Sequence, residues 1–368
     1  MMKQRLRLMI PGPIELDPEV LAVMSEPMVA HYGNEWTAFY KETTQLLQEI
    51  FQTDGDVFLI PGSGSAGLDA ALGSTLFPDG KVLIPKNGFF GERLEAIARS
   101  YTANVETIEF PIGQAVDLAE VERALQNGDF DALACVHCET STGVLNPIEE
   151  LGKVCRAHGV LFIVDAFSSL AIEPLDMDAW GIDICISASK KGLEAPPGLG
   201  VVAVGKRGWE RIEHVRRPGW YLNLKVWREY ADKWADWHPH PVTQPVNNIK
   251  ALQVGVRRIL AEGLEKRFKR HHRVAESLRL GLRKIGFTPY VPDEIASNGV
   301  TSVLGGGVDI DQLLTYVREK ESILLAGSLG ELKGKVFRVG HMGPEATDEA
   351  IESVLAALRN GLHAARTT

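Results

Sequence analysis

Between residues 36 and 205, short apolar runs alternate with segments whose apolar residues recur at helical spacing. That alternation is the pattern of a parallel sheet covered by helices. The strand runs are "VFLI" (57–60), "KVLI" (81–84), "VETIEF" (105–110), "ALACVH" (132–137), "VLFIVD" (160–165), "DICIS" (183–187) and "GVVAVG" (200–205). Several lack polar–apolar alternation, as strands buried on both faces should. Helical spacing is clear in "EWTAFYKETTQLLQEIF", "AGLDAALGSTLF", "GERLEAIARSY" and "IEELGKVCRAH". After Gly208 the texture changes to an aromatic and basic loop, "RRPGWYLNLKVWREYADKWADWHPHPVTQPVNN". A long helical run, "LEKRFKRHHRVAESLRLGLRKIG", then leads toward a terminal amphipathic helix, "TDEAIESVLAALRNGLHAA". The predicted class is α/β, with a mainly parallel sheet in a large domain (15–260) and a smaller α+β C-terminal domain (261–368, with 1–14).

With 368 residues, 45% hydrophobic and 24% charged, the chain can build a core for two such domains. No run approaches the length of a membrane span, and the apolar start breaks at Pro11, too early for a secretory leader. A soluble, cytoplasmic protein is expected. The formal charge of −9 counts against a nucleic-acid surface, which needs clustered Lys and Arg. Four cysteines, Cys135, Cys138, Cys155 and Cys185, are too few for a disulfide framework. Cys135 and Cys138 form a C-x-x-C, yet the first ends a strand instead of opening a helix, and no second pair completes a zinc site. Buried thiols are the better reading.

Ligands of wound α/β sheets gather beyond the carboxyl ends of the strands, and four segments place unusual residues there. In "LIPGSGSAGLDAAL" a strand runs into Gly62, Ser63, Gly64 and Ser65 before a helix begins. Small residues, hydroxyls and free helix N–H groups make an anion cradle. It lacks the Walker lysine and the full dinucleotide fingerprint, which disfavours ATP and NAD. In "LFIVDAFSSL" Asp165 ends an apolar strand, where a carboxylate needs a cationic partner. No His or Glu cluster lies nearby in sequence to make it a metal ligand. In "SASKKGLEAPPGLG" a lysine pair, Lys190 and Lys191, follows the next strand on a turn stiffened by two prolines. In "GKVFRVGHMG" Arg338 sits inside an apolar run, and its planar fork suits a carboxylate.

Each segment has a plainer reading: a helix cap, exposed lysines, an internal salt bridge. Together they supply an anion site, a partner for a ring nitrogen and an amine for a Schiff base, the contacts that pyridoxal 5′-phosphate requires. The chain resembles the class V aminotransferases of pyridoxal-phosphate fold type I, especially the alanine–glyoxylate and serine–pyruvate group. The resemblance runs through "PGPIELDPEVL", "PGSGSAGLDAAL", "NGFFGER", "HCETSTGVLNPI", "VDAFSSL", "SASKKGLEAPPG" and "FRVGHMG" in order.

The resemblance implies that Lys191 is the Schiff-base residue and that Asp165 pairs with the pyridine nitrogen. It implies that Ser63, Gly64 and Ser65 hold the phosphate, joined by Thr243 from the partner subunit of a homodimer. Phe90 and Phe167 fall on the two faces of the ring, and Ser141 near its phenolic oxygen. Arg338 takes the substrate carboxylate with the backbone around Gly12. Lys190 replaces a frequent Gln and is read as a phosphate counter-ion. Tyr32, Trp36 and Trp220 are possible pocket residues. Alanine–glyoxylate members carry Trp, His and Tyr where this chain has Phe90, Ser65 and His240, which leaves the donor open.

The expected reaction moves an amino group from alanine or serine to glyoxylate or pyruvate by a ping-pong mechanism. A 2-aminoethylphosphonate donor is the nearest alternative, and a non-catalytic binding protein the remote one. Cysteine desulfuration is disfavoured, because the last cysteine is Cys185.

Overall fold

The computed structural model describes residues 5–215 and 219–367. Each of the seven apolar runs becomes a strand of one sheet: β1 (Asp56–Pro61), β2 (Lys81–Lys86), β3 (Asn104–Glu109), β4 (Ala132–Val136), β5 (Leu161–Asp165), β6 (Ile184–Ala188) and β7 (Leu199–Val204). Their spatial order is β1-β7-β6-β5-β4-β2-β3. β7 runs antiparallel to both neighbours, and the other pairs are parallel. Strands β4 to β7 are buried along their whole length, which is the physical reason their sequences do not alternate.

The strands still divide their side chains between two cores. Leu59, Leu133, Cys135 and Val164 face one side, where they meet α1 (Asn34–Phe51), α4 (Leu118–Asn127), α5 (Ile148–Ala157) and α8 (Val246–Glu262). Ile60, Ala134, Ile163 and Ile186 face the other, under α2 (Gly64–Thr75), α3 (Phe89–Ala98), α6 (Lys206–His214) and α7 (Leu224–Lys233). All four cysteines are buried and unpaired. Burial pushes the Cys138 thiol up to about 12, so it is an inert core group at neutral pH.

From Gly219 to Asn248 the segment is only partly the loop its composition indicates, and its first three residues, 216–218, lie outside the described residues. It contains α7, whose first turn is capped by the Asn223 side chain accepting from Lys225 N–H. Only Leu224 and Trp227 of α7 are buried, so two apolar contacts at i and i+3 anchor a helix whose other positions are half-buried or exposed. α8 begins directly after Pro245, a residue that ends the preceding extended stretch and leaves α8 free to start. α4 was also silent in the apolar pattern, although Asp117 caps it by accepting from Ala119 and Glu120 N–H.

The long run becomes α9 (Leu264–Lys284). Beyond it, β8 (Thr288–Pro289), β9 (Val300–Leu304), β10 (Ala326–Gly327) and β11 (Val336–Gly340) form an antiparallel sheet in the order β8-β9-β11-β10. α9, α10 (Ile310–Lys320) and α11 (Asp348–Thr367) close over it around Leu278, Leu313, Phe337, Val339 and Val354. Met9 enters that same core, and Arg7–Leu8 pairs in parallel with Ile323–Leu324.

α5 crosses the loop after β5 so closely that a Cβ on Gly152 would lie 1.8 Å from the Trp180 carbonyl oxygen. Gly→Ala in a helix ordinarily stabilises by up to about 1 kcal/mol. Here the sign reverses: Gly152→Ala should lower the unfolding free energy by more than ~2 kcal/mol, read from urea melts against the parent chain.

Candidate active site

A cavity of about 420 Å3 opens at the carboxyl ends of the large-sheet strands. Hollows of about 620 and 770 Å3 lie elsewhere. The first gathers Asp56, Asp183 and Arg207 at the opposite strand ends, and the second Gln48, Glu49 and Asp178. Chemistry, not volume, separates them from the smaller cavity, which alone of the three is lined by a buried lysine, Lys191, beside two phenylalanine rings and the N-terminus of α2.

Asp165 closes β5 and is buried. Its Oδ1 accepts from Phe167 N–H at 2.9 Å. Burial pushes the carboxyl up to about 6 against the opposing pull of that N–H and of Lys191. A buried carboxylate with so little protein support is poised for a positively charged ligand atom.

Lys191 starts a single 3-10 turn after β6, with φ of 65°, a left-handed conformation rarely taken by a residue with a side chain. Its Nζ donates to Ser168 Oγ at 2.6 Å and lies 5.6 Å from the centre of the Phe90 ring. Burial lowers the amine to about 8, helped by Lys190 and Arg338 and opposed by Asp165. Lys190, on the same wall, is lowered by its own partial burial and by Arg93.

Ser63, Gly64 and Ser65 line the cavity where α2 begins. Ser63 is the N-cap but makes no side-chain cap bond, which leaves the helix N–H groups for an anion. Gly64 is required by packing, since a Cβ there would stand 2.7 Å from Phe167 Cζ. Phe90 and Phe167 both line the cavity, as do Gly12 and Arg338. A Cβ on Gly12 would stand 3.2 Å from Lys191 Cε. Arg338, on β11, donates to the Gly327 carbonyl through Nε (3.1 Å) and Nη2 (2.8 Å), and to the Thr140 carbonyl through Nη1 (3.0 Å). These bonds fix the guanidinium without neutralising it.

The structure separates other expected residues from this group. Thr140, not Ser141, lines the cavity. Ser141 is turned away, its hydroxyl donating to the buried carboxylate of Glu139, which also accepts from Phe90 and Gly91 N–H at the start of α3. Trp36 is core: its Nε1–H donates to His240 Nε2 at 2.9 Å, and His240 Nδ1 then bonds the Val242 carbonyl. Burial lowers His240 to about 3, so it is a neutral structural link. Tyr32 and Trp220 are exposed, and Thr243 is exposed just beyond that link. None of the three lines the cavity of its own chain.

Sequence reasoning passed over Ser168, Thr140, Arg93 and Arg267. Ser168 lay inside the quoted "VDAFSSL" and Arg93 inside "NGFFGER", and hydroxyls or cations just past strand ends were the available signal. Arg93 stacks its guanidinium over Phe89 and Phe90. Arg267 had no signal. It lies on α9, far along the chain, and joins both active turns by donating to Ala171 O at 2.6 Å and Gly192 O at 3.0 Å while pairing with Glu194 at 2.7 Å.

An uncommitted anion cradle, two apolar faces, a buried carboxylate and an amine meet the donor and acceptor needs of pyridoxal 5′-phosphate. The comparisons agree. The Aminotransferase class-V family model matches residues 19–351. An uncharacterized aminotransferase of Methanocaldococcus jannaschii is 36% identical, covering 91% of this chain and 87% of the relative. The (S)-ureidoglycine–glyoxylate transaminase of Bacillus subtilis is 33% identical over 95% of this chain and 89% of its own length. The crystal structure of an alanine–glyoxylate aminotransferase from Nostoc sp. superimposes with a TM-score of 0.94 at 34% identity, covering 98% of this chain and 96% of that one. The chain belongs to the class V aminotransferase family. It is a fold type I transaminase whose cofactor is pyridoxal 5′-phosphate.

Arg267 is 2% exposed, so removing it strands Glu194 and two carbonyls in the interior. Arg267→Ala should cost about 3–5 kcal/mol, the usual loss when one member of a buried ion pair is deleted. Calorimetry of the purified variant checks this, and a melting temperature equal to the parent's would contradict it.

Proposed function

We propose that the protein transfers the amino group of a small L-amino acid, alanine or serine, to glyoxylate or pyruvate. The observation that carries this reading is the cavity that Lys191 and the Arg338 guanidinium line together, with the buried Asp165 carboxylate close enough to Lys191 to act on its charge. One fixed carboxylate clamp suits monocarboxylic substrates, and glyoxylate is the acceptor named for both the B. subtilis relative and the Nostoc structure.

The residues divide the work as follows. Ser63, Gly64 and Ser65 hold the cofactor phosphate at the α2 N-terminus, with Lys190 as counter-ion. Phe90 and Phe167 hold the ring between them, and Asp165 keeps its nitrogen protonated. The cofactor, when bound, supplies an electron sink conjugated to the substrate Cα. Arg338 orients the substrate carboxylate, assisted by the backbone at Gly12. Lys191 carries the cofactor and, once freed by the donor, moves a proton at Cα. Its depressed basicity makes the neutral amine accessible near physiological pH.

The first test is an absorbance spectrum of the purified protein, repeated with L-alanine, L-serine, L-aspartate and 2-aminoethylphosphonate in turn. Loss of the cofactor-linked band with alanine or serine is expected; response to the phosphonate alone would replace the proposed donor. Lys191→Ala should abolish turnover. In the parent, the single-turnover rate should fall as pH drops below about 8, because the freed amine is then protonated before it meets the substrate.

A cytoplasmic homodimer completes the proposal. Among the described residues no helix is long and apolar enough to cross a membrane. Thr243 is exposed and stands outside its own chain's cavity, in keeping with a reach into a partner's phosphate site. Mixing inactive Lys191→Ala subunits with impaired Thr243→Ala subunits should restore one intact site per mixed dimer. Mixtures no more active than their parents would overturn the shared site.

A further inference from the structure

The Lys191 amine is held by hydroxyls outside the set that its family resemblance implies. Nζ donates to Ser168 Oγ at 2.6 Å, and Ser168 Oγ is in short contact with Thr140 Oγ1. Thr140 Oγ1 in turn reaches the Cys138 carbonyl at 3.5 Å. A carbonyl only accepts, and that endpoint sets the direction of the chain. Thr140 donates to the carbonyl and accepts from Ser168, and Ser168 accepts from the amine. All three residues are buried, so solvent does not compete for these bonds. The Thr140 carbonyl also receives Arg338 Nη1, which ties the relay to the carboxylate clamp.

We infer that Ser168, backed by Thr140, is a positioning residue that sets the rotation of the Lys191 amine and supports its charged form during proton transfer. The inference rests on Lys191 being the reactive amine. A neutral amine has two N–H bonds and one lone pair. Donating one N–H to Ser168 fixes rotation about Cε–Nζ and turns the lone pair toward the cavity. When the substrate Cα–H bond breaks, its proton goes to that lone pair, and the electron pair stays on the substrate side. The resulting ammonium keeps its bond to Ser168, now a stronger charge-assisted one. No oxidant or further reactant enters. Gly12 completes the guide, since any side chain there would press on Lys191 Cε. The charged or titratable groups around the amine are Lys190, Asp165, Cys138 and Arg338, and none of them replaces the hydroxyl's directional bond.

The test compares Ser168→Ala, Thr140→Val and Thr140→Ser in the full chain with two readouts. In the cofactor-loaded enzyme, the single-turnover rate with the amino donor should fall about 10- to 100-fold in Ser168→Ala, with KM within about twofold and a larger Cα-deuterium isotope effect. In cofactor-free protein, the pH midpoint for reductive methylation of Lys191, followed by peptide mass spectrometry, should move down from about 8, because the ammonium loses an acceptor. Thr140→Ser, which keeps the hydroxyl, should retain more of the parent's rate and midpoint than Thr140→Val, which should shift toward Ser168→Ala. Unchanged rate and midpoint in Ser168→Ala, or identical behaviour of the two Thr140 variants, would overturn the relay. So would a rate loss that only tracks loss of cofactor. Turnover surviving in Lys191→Ala would instead remove the reading of Lys191 itself, a separate failure.

Discussion

The buried guanidinium of Arg267 is the contact on which the geometry of the site depends. It reaches Ala171 in the turn after Asp165 and Gly192 in the turn of Lys191, and it is neutralised by Glu194 and by Glu262 at 3.2 Å. Two loops leaving neighbouring strands are thereby held to one helix. Its neighbours on α9 extend the same anchor toward the C-terminal sheet. Arg270 donates to the Gly343 and Ala346 carbonyls, and His271 accepts from Gly343 N–H. The segment after β11, and so the strand carrying Arg338, is referenced to the same helix that fixes the lysine turn.

Within that frame the electrostatics are set by burial more than by pairing. Removal from water raises Asp165 and lowers Lys191, and their mutual attraction opposes both effects without cancelling either. The cavity wall carries the cations Lys190, Lys191, Arg93 and Arg338, while the nearby carboxylates of Asp165 and Glu139 are buried, a surplus of positive charge on the wall that suits a cofactor phosphate and a substrate carboxylate. Lys190 and Arg338 make the amine easier to deprotonate, while Asp165 keeps it basic enough to take a proton.

Much of this was legible along the chain because it is local. Strand runs buried on both faces announce themselves by composition, and Gly64 and Asp165 sit at strand ends where few other roles fit. The misses share a different cause. Ser141 and Thr140 are adjacent hydroxyls, and only the course of the backbone after β4 decides which one faces the cavity and which one caps Glu139. Trp36 reads as a possible pocket residue along the chain, but its hydrogen bond to His240, 204 residues away, makes it core. α7 escaped the pattern because two buried positions are too few to create a period.

What the sequence alone determined is the order of strands and helices, the anion-binding turn, the strand-end carboxylate and a lysine on a stiff turn, since each follows from residue type and neighbours within a few positions. What only the tertiary structure decided is how these meet: the stacking of β5 beside β6, the long-range clamp by Arg267, and the hydroxyls that receive the Lys191 amine. Such contacts join residues far apart in sequence, and their geometry is set by packing both sheets around one helix, which no local pattern encodes.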